Sequence, residues 1–295
     1  MKKEAIEKTK KAGEIVRKIK SDLPKWVKKD MKLLEIAEKI ESEIISLGGK
    51  PAFPVNLGIN DSTAHYTPSY NDESIAYGLL KIDFGVHIDG FSADNSFSID
   101  LENTEENKKL IQCSNEALNI AIESVKKSYT LGEIGSEIQK TAEKYNFSPI
   151  HNLSGHGIEQ YQLHTSPNIP NYNNNSKSKL KDGIYAIEPF ITTGIGEVYD
   201  AKPSGIYELK SDSGNVRDNK ARETLLFIME EYGTLPFCSR WLVKKFGTRA
   251  LISLSLLERA GILHQFSQLI EKSHSKVSQS EHTIIINNGE VEIVT

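Results

Sequence analysis

Cysteine, long apolar runs and an excess of either charge are scarce in this sequence of 295 residues. Its two cysteines, Cys113 and Cys238, cannot supply a disulfide framework or a cysteine-based zinc site, so we expect a reducing, cytoplasmic environment. No stretch approaches the roughly 18 consecutive apolar residues of a membrane-spanning helix. The first residues, Met1 to Glu4, lack the apolar segment of a signal peptide. The composition is typical of a globular protein without a membrane span.

The charges nearly balance, with 36 basic and 40 acidic residues and a net charge of −4. This balance argues against broad electrostatic binding to nucleic acid or to an anionic membrane. The chain is long enough for one large domain or two small ones, and 38% of its residues are hydrophobic. A substantial core is therefore expected.

Apolar periodicity predicts two pairs of helices, each followed by strands. The helices are expected over 2–20 and 33–45, and over 105–127 and 131–145. Strands are expected over 79–84 and 91–99 after the first pair, and over 148–153, 184–191 and 195–200 after the second. The repeated order predicts two similar αβ halves.

The remaining sequence predicts a polar loop, a helical block and a final hairpin. Residues 171–182 are polar and turn-prone. Helices are predicted over 216–232 and 248–260, so that a helical block at 205–267 interrupts the second β region. Strands over 281–286 and 291–294 follow, joined by an Asn288-Gly289 turn.

A second turn signal, Asp89-Gly90, predicts a hairpin that brings two aspartates together. A two-residue turn pairs Gly85 with Asp94 and Asp83 with Ser96. Asp83 and Asp94 then lie on one face as diagonal neighbours, roughly 7–8 Å apart at the backbone. Two interpretations stay open for this pair: solvated aspartates on an exposed sheet face, or carboxylates that share a cation.

Three further residues favour the cation. His156 lies between glycines at a strand end, and Glu188 and Glu281 stand in or beside apolar strands. Together with Asp83 and Asp94 they form a set of four carboxylates and one imidazole, which suits divalent cations such as manganese, iron or cobalt. A lone Glu in a strand is also common at a sheet edge or in a salt bridge, and spacing alone does not assemble these five residues.

Six separated motifs give the sequence a family resemblance. In chain order they are Lys50–Asn56, Ala64–Pro68, Lys81–Gly90, Leu153–His156, Ile187–Phe190 and Glu281–Thr283. In residues, order and chain length the sequence resembles the type II methionine aminopeptidases, and specifically their short archaeal-type members.

The resemblance implies the pita-bread fold, an α+β (α/β) architecture with two pseudo-symmetric αβ halves around a central antiparallel sheet. It implies one catalytic domain over 1–295, with 205–267 as the helical insertion characteristic of type II enzymes. It also implies two divalent metal ions, whether cobalt, manganese, iron or zinc. The implied metal ligands are Asp83, Asp94, His156, Glu188 and Glu281.

The implied activity is removal of the N-terminal methionine from nascent proteins and peptides, with a small second residue preferred. A metal-activated water would attack the first peptide bond, with Glu188 as proton shuttle. The family's two substrate-facing histidines match His65 and His164. The residues expected to line the methionine side-chain pocket are Phe53, Leu163, Phe190 and Phe266. Outside the family context, His65 reads as a surface histidine and the three phenylalanines as ordinary core.

The sequence departs from the family pattern at three places near these motifs. Ser280 stands where a bulky aromatic precedes the last Glu, and Asn95 where Thr or Ser follows the second Asp. Thr165-Ser166 replaces Ala-Gly after the second histidine. These changes bear on the shape of the pocket and on the hydrogen bonds behind the ligands.

Two other functions are known for proteins that resemble this fold. A proline-specific peptidase of the same fold uses the same ligand types but carries an extra N-terminal domain, for which 50 residues before the first motif leave no room. A non-catalytic relative that binds RNA or a ribosome would lack metal ligands, whereas all five are present here. We expect a cytoplasmic monomer that acts on nascent chains in transient proximity to the ribosome, with no DNA or membrane partner.

Overall fold

A computed structural model describes residues 1–211 and 216–295. Seven helices and sixteen strands lie in these two ranges, and every strand pairing between them is antiparallel. None of the helices within the described ranges combines the length and apolar character that crossing a bilayer requires. The predicted α+β class is confirmed.

The helices include all six predicted ones, and they add one more. They are α1 (Lys3–Trp26), α2 (Leu33–Ser46), α3 (Glu105–Lys126), α4 (Leu131–Lys144), α5 (Asn219–Glu231), α6 (Ser239–Phe246) and α7 (Ala250–Arg259). Helix α1 runs six residues further than predicted, and α3, α4, α5 and α7 are slightly shorter. The sequence did not predict α6, because eight residues give too few turns for a clear period.

The strands form four antiparallel sheets. They are β1 (Lys50–Pro51), β2 (Asn56–Ile59), β3 (Ser62–Ala64), β4 (Leu79–Ile88), β5 (Phe91–Asp100), β6 (Ser148–Pro149), β7 (Ser154–Glu159), β8 (Gln162–Pro170), β9 (Gly183–Ile187), β10 (Phe190–Thr192), β11 (Val198–Leu209), β12 (Phe237–Cys238), β13 (Leu263–Glu271), β14 (Val277–Gln279), β15 (His282–Asn287) and β16 (Glu290–Ile293). Their orders are β1-β4-β2 with β5 on β4, β14-β10-β6, β12-β11-β13-β3 and β16-β15-β9-β7-β8.

Each half of the molecule packs a helix pair on a sheet. In the first half α1 and α2 cover β4 and its neighbours, and their apolar stripes form one core with Leu57, Ile82 and Phe84. In the second half α3 and α4 form a core with Ile187 and Ile284 of the five-stranded sheet. The halves meet where β5 lies beside the β14–β15 segment, with the Glu281 N–H donating to Ser96 O at 2.8 Å and the Asp94 N–H donating to Thr283 Oγ1 at 2.7 Å.

The helical block has a core of its own. Residues of α5, α6 and α7 pack with Tyr207, Phe237 and Leu263 from β11, β12 and β13. The long pairing of β11 with β13 attaches this block to the rest of the molecule. Four residues of the predicted 205–267 insertion, 212–215, lie outside the described residues. Its status as a separate subdomain stays a prediction.

Several strand predictions were wrong in extent. The run predicted at 184–191 is two strands separated by Glu188-Pro189, because proline has no N–H for a sheet ladder. The strand predicted at 148–153 covers only Ser148–Pro149, and that predicted at 195–200 begins at Val198 and continues to Leu209. Strands β7, β8 and β13 were not predicted, since polar residues, glycines and prolines interrupt their alternation. The polar segment 171–182 contains no strand or helix.

Candidate metal centre

All the site residues expected from the sequence line one cavity of about 380 Å³. These are Phe53, His65, Asp83, Asp94, His156, Leu163, His164, Glu188, Phe190, Phe266 and Glu281. Residues from both halves and from the helical block contribute to the walls. The tertiary structure therefore assembles a set that is dispersed over more than two hundred positions of sequence.

The β4–β5 hairpin supplies the two aspartates. Its register pairs Ile88 with Phe91, Gly85 with Asp94 and Asp83 with Ser96. This is the predicted register, and it places Asp83 and Asp94 on the same face. Both carboxylates line the cavity, so the solvated-face interpretation of this pair was wrong.

The two glutamates occupy breaks between consecutive strands. Glu188 lies between β9 and β10, and Glu281 lies between β14 and β15. The flanking strands pair with each other, with Ile187 opposite His282 on one side of the break and Phe190 opposite Gln279 on the other. The two chain segments thus pass next to each other from the five-stranded sheet into the three-stranded sheet. Glu188 and Glu281 both lie where the segments pass between these sheets.

His156, in β7, is held in one tautomer. Its Nδ1 lies 3.2 Å from the carbonyl oxygen of Gly157, which can only accept, so Nδ1 carries the proton. The unprotonated Nε2 is directed toward the carboxylates, 3.8 Å from Asp94 Oδ2 and 3.6 Å from Glu188 Oε1. Burial lowers the pKa of His156 to about 4, which keeps the ring neutral, as a metal ligand must be.

The four carboxylates lie close together, Asp94 and Glu281 buried and Asp83 and Glu188 half-buried, and this raises their pKa values. Burial raises the pKa of Asp94 to about 7. Burial, and then the charges of neighbouring carboxylates, raise the pKa values of Asp83, Glu188 and Glu281 well above their ordinary range. Such a cluster of acids is unfavourable unless protons or cations neutralise it.

Unpartnered oxygens in the cluster fit a cation. Asp94 Oδ1 and Glu281 Oε1 are buried and have no hydrogen-bond partner among the described residues. Donor atoms of Asp94, His156 and Glu281 all lie within 4.8 Å of one another. Carboxylate oxygens with one neutral imidazole form a donor set that suits divalent metals of the first transition row. The residues present therefore fit divalent metal binding.

Sequence reasoning missed Gln279, which lies behind two of these carboxylates. Its side chain is buried, and Nε2 donates to Glu188 Oε2 at 3.2 Å. A second hydrogen bond, to Asp83, moderates the rise in the pKa of that carboxyl. Gln279 lies two residues before Glu281, and that spacing along an extended chain was the available signal.

Two histidines line the cavity beside this cluster. The ring of His164 lies 4.5 Å from that of His156, centre to centre, in an edge-on arrangement. His65 Nδ1 lies 3.1 Å from the carbonyl oxygen of Ser267, and the His65 ring lies 5.3 Å from that of Phe266. Burial lowers the pKa values of both histidines, so both rings are neutral.

An apolar pocket adjoins the histidines. Phe53, Leu163, Ala52 and Leu235 form one small buried cluster. Phe190 belongs to a different cluster, with Ile150, Val198 and Val277, but also lines the cavity.

The three departures from the family pattern lie outside the cavity lining. Ser280 Oγ donates to Asn115 Oδ1 at 2.7 Å and shares a hydrogen bond with Ser114 Oγ at 2.8 Å. Asn95 Oδ1 accepts from Lys20 Nζ at 2.6 Å. Thr165 pairs with Gly157 in the β7–β8 ladder. Ser280 and Asn95 thus bind α3 and α1, behind the carboxylates.

Comparison with known proteins agrees with this geometry. The sequence profile of metallopeptidase family M24 matches residues 7–224. The chain belongs to this family. It is 42% identical over 295 residues to a methionine aminopeptidase of Pyrococcus abyssi, a match that covers 98% of this chain and 99% of the relative. The predicted relationship to the archaeal methionine aminopeptidases is confirmed.

Solved structures of the same fold superpose on the whole chain. A thermophilic Arx1 matches with a TM-score of 0.86 at 16% identity, covering 100% of this chain and 91% of the other. A methionine aminopeptidase of Rickettsia prowazekii matches with a TM-score of 0.72 at 23% identity, covering 100% and 98%. These likenesses confirm the pita-bread fold.

Proposed function

We propose that this chain releases the N-terminal methionine of polypeptides by metal-dependent hydrolysis of the first peptide bond. The proposal rests on one observation: a single cavity is lined by four carboxylates, a neutral imidazole, two further histidines and an apolar pocket. The family and the full-length relatives support a metallopeptidase of this kind.

The proposed ligands are Asp83, Asp94, His156, Glu188 and Glu281. Four carboxylates carry enough charge to offset two divalent ions, whether cobalt, manganese, iron or zinc. Bound there, such ions supply Lewis acidity to the scissile carbonyl and lower the pKa of an attacking water.

The hydrogen bond of each histidine restricts its role. His65 Nδ1 donates its proton to Ser267 O, so Nε2 of the neutral ring presents a lone pair and accepts the N–H of the scissile amide. His164 is neutral and retains one N–H that it can donate to the developing oxyanion. The two rings thus hold opposite ends of the peptide unit.

Glu188 is the proposed carrier of the water proton. The hydrogen bond from Gln279 fixes one of its oxygens, and the other lies 3.6 Å from His156 Nε2. A carboxylate at this position can take a proton from water and return it to the leaving amine.

The apolar pocket is the proposed site of the methionine side chain, with Phe53, Leu163, Phe190 and Phe266 as its walls. Sulfur–aromatic contacts there contribute about 0.3–1.5 kcal/mol. We further propose that the second residue of the substrate is small and that the protein is a cytoplasmic monomer. Because new polypeptides are the source of its substrate, we propose transient proximity to the ribosome.

The decisive assay follows the release of methionine from Met-Ala-Ser after metal removal by a chelator and again after addition of Mn²⁺ or Co²⁺. We expect release only with metal, and faster release than from Met-Leu-Ser, with metal content counted by mass spectrometry.

Cleavage of Xaa-Pro peptides without release of methionine would replace the proposal with a proline-specific peptidase. Failure to take up any divalent metal would instead favour a non-catalytic binding protein of the same fold.

A further inference from the structure

A second buried charge cluster lies outside the metal centre and joins the helical block to the first half. Arg240, in α6, donates from Nη1 to Glu41 Oε2 at 2.7 Å and from Nη2 to Glu41 Oε1 at 2.8 Å. Glu41 lies in α2, and the two residues are 6% and 3% exposed. This is a two-pronged ion pair of the kind that fixes both distance and angle.

Other groups complete the hydrogen bonding of the pair. Trp241 Nε1 donates to Glu41 Oε2 at 2.9 Å, and the backbone N–H of Val55 donates to Oε1 at 3.3 Å. Arg240 Nε donates to the carbonyl oxygen of Pro68 at 3.0 Å. A single contact therefore holds four segments of the chain: α2, α6, the strand entry at Val55 and the loop at Pro68.

Two of these segments form cavity walls in the first half. Val55 lies between Pro54 and Asn56, which both line the cavity. Pro68 closes the turn that begins at His65, and Thr67 Oγ1 donates to the carbonyl oxygen of Val55 at 2.9 Å. Movement of the pair would therefore move the wall at Phe53 and the turn at His65 together.

Arg240 is also connected to the opposite wall. It follows β12, which pairs with β11 through Cys238 opposite Ile206. Ile206 and Pro236 line the cavity from the helical block, and Leu235 packs against Phe53 and Leu163. The ion pair thus sets the separation between the helical block and the wall that carries Phe53.

We propose that the Glu41–Arg240 pair is a positioning device that sets the width of the methionine side-chain pocket, and with it the selectivity for the first residue. The inference rests on the proposed function. A buried ion pair contributes little net stability compared with well-packed apolar residues. Its two parallel hydrogen bonds, in contrast, fix two walls of the pocket relative to each other. A pocket needs fixed walls to distinguish side chains that differ in size by about one methylene group.

The test uses Arg240→Lys, which keeps the charge but loses the fork and the bond to Pro68. Glu41→Gln serves as the second variant, which keeps the side-chain size. We measure kcat and KM of the metal-loaded enzymes on Met-Ala-Ser, and on the same peptide with norleucine or leucine first. We expect KM for the methionine peptide to rise about tenfold, kcat to change less than threefold, and selectivity over leucine to fall about tenfold.

Two matched controls separate positioning from general effects. Lys50 and Glu231 form an exposed ion pair at 2.7 Å that joins β1 to α5, and so links the same two parts of the molecule at the surface. Lys50→Met should leave KM and selectivity unchanged. Leu254→Ala, in the core of the helical block, should lower the melting temperature without changing selectivity.

A binding measurement tests the selectivity for the first residue independently of turnover. Calorimetry of methionine amide and leucine amide on the same proteins should show the methionine preference of the unsubstituted chain reduced in both variants. Unchanged KM and selectivity in Arg240→Lys and Glu41→Gln would overturn the inference. A loss of selectivity in Leu254→Ala as large as theirs would overturn it too. An unsubstituted chain that binds methionine amide selectively but cleaves no Met-peptide would instead count against the proposed function.

Discussion

At the residue scale, His164 is the proposed donor of a hydrogen bond to the developing oxyanion. It lines the cavity beside His156, its ring is neutral, and it is not among the proposed metal ligands. We expect His164→Ala to lower kcat by about 10²–10³, the effect typical of losing one oxyanion donor, with metal content unchanged. Single-turnover kinetics and metal counting check this.

The control for His164 is His151→Ala, since His151 packs against Tyr172 and lies outside the cavity lining. That variant should retain full activity. Loss of metal from His164→Ala would contradict the assignment and place this histidine among the ligands.

His87 makes the free energy of unfolding depend on pH, independently of catalysis. Its Nδ1 accepts the backbone N–H of Gly90 at 3.0 Å, a bond that only the neutral ring can make. Burial, and then the charge of Lys50, lower the pKa of His87 to about 4, against about 6.5 in the unfolded chain. Between these values the unfolded state binds more protons, so the free energy of unfolding rises with pH. The stabilisation is complete above pH 6.5 and is lost as the pH falls toward 4.

Denaturant unfolding of the original chain and of His87→Gln at several pH values measures this contribution. Between pH 4 and 6.5 we expect the original chain to show the steeper slope, by up to about 1.4 kcal/mol per pH unit. Above pH 7.5 the two slopes should coincide. Parallel slopes throughout would mean that His87 titrates as in the unfolded chain.

At the element scale, the β4–β5 hairpin determines the relation between Asp83 and Asp94. Gly90 occupies its turn with φ of +82°, and a Cβ at this position would lie 2.3 Å from Tyr161 Cδ2. Gly90→Ala should therefore lower the free energy of unfolding through backbone strain and through this clash. It should also weaken metal binding, because the turn sets the register of both aspartates.

Gly289 offers the matched control for that prediction. It has nearly the same φ, +79°, in the β15–β16 turn, and its added Cβ would meet nothing within 4 Å. We expect Gly289→Ala to cost about 1 kcal/mol of strain, and Gly90→Ala a further 1–3 kcal/mol, roughly, from overpacking. Equal losses in chemical denaturation would show that the Tyr161 contact has no effect.

At the scale of the whole molecule, the proposed metal centre connects the two halves. Asp83 and Asp94 come from the sheet of the first half, whereas His156, Glu188 and Glu281 come from strands and breaks of the second. A ligand that binds only the folded state stabilises it by mass action. The free energy of unfolding rises by about 2.7 kcal/mol when the free ligand concentration is a hundred times the dissociation constant. We expect Mn²⁺ added after chelation to raise the melting temperature by several degrees in calorimetry.

The variant Glu281→Gln should separate repulsion from metal binding. Without metal it should be at least as stable as the original chain, because one of four mutually repelling carboxylates is gone. The stabilisation by Mn²⁺ should then be largely lost. Destabilisation of the metal-free variant would show that Glu281 is held by contacts that favour its charge.

Local patterns in the sequence were sufficient to predict the parts of the fold that depend on short-range geometry. Helical periodicity located six of the seven helices in the described residues, and Asp89-Gly90 gave the hairpin register that places Asp83 beside Asp94. Periodicity and turn signals are read from neighbours a few positions apart, where backbone geometry allows few alternatives. The family resemblance, and not local geometry, named eleven of the residues that line the cavity.

Only the tertiary structure decided what lies behind and around those residues. The support of Glu188 by Gln279, the tautomers of His65 and His156, and the ion pair of Glu41 with Arg240 each depend on which distant backbone carbonyl or side chain is adjacent. The side-by-side breaks at Glu188 and Glu281 depend likewise on two strand pairs changing sheets together. Sequence periodicity carries no information about such long-range neighbours, because they are selected by packing of the completed cores.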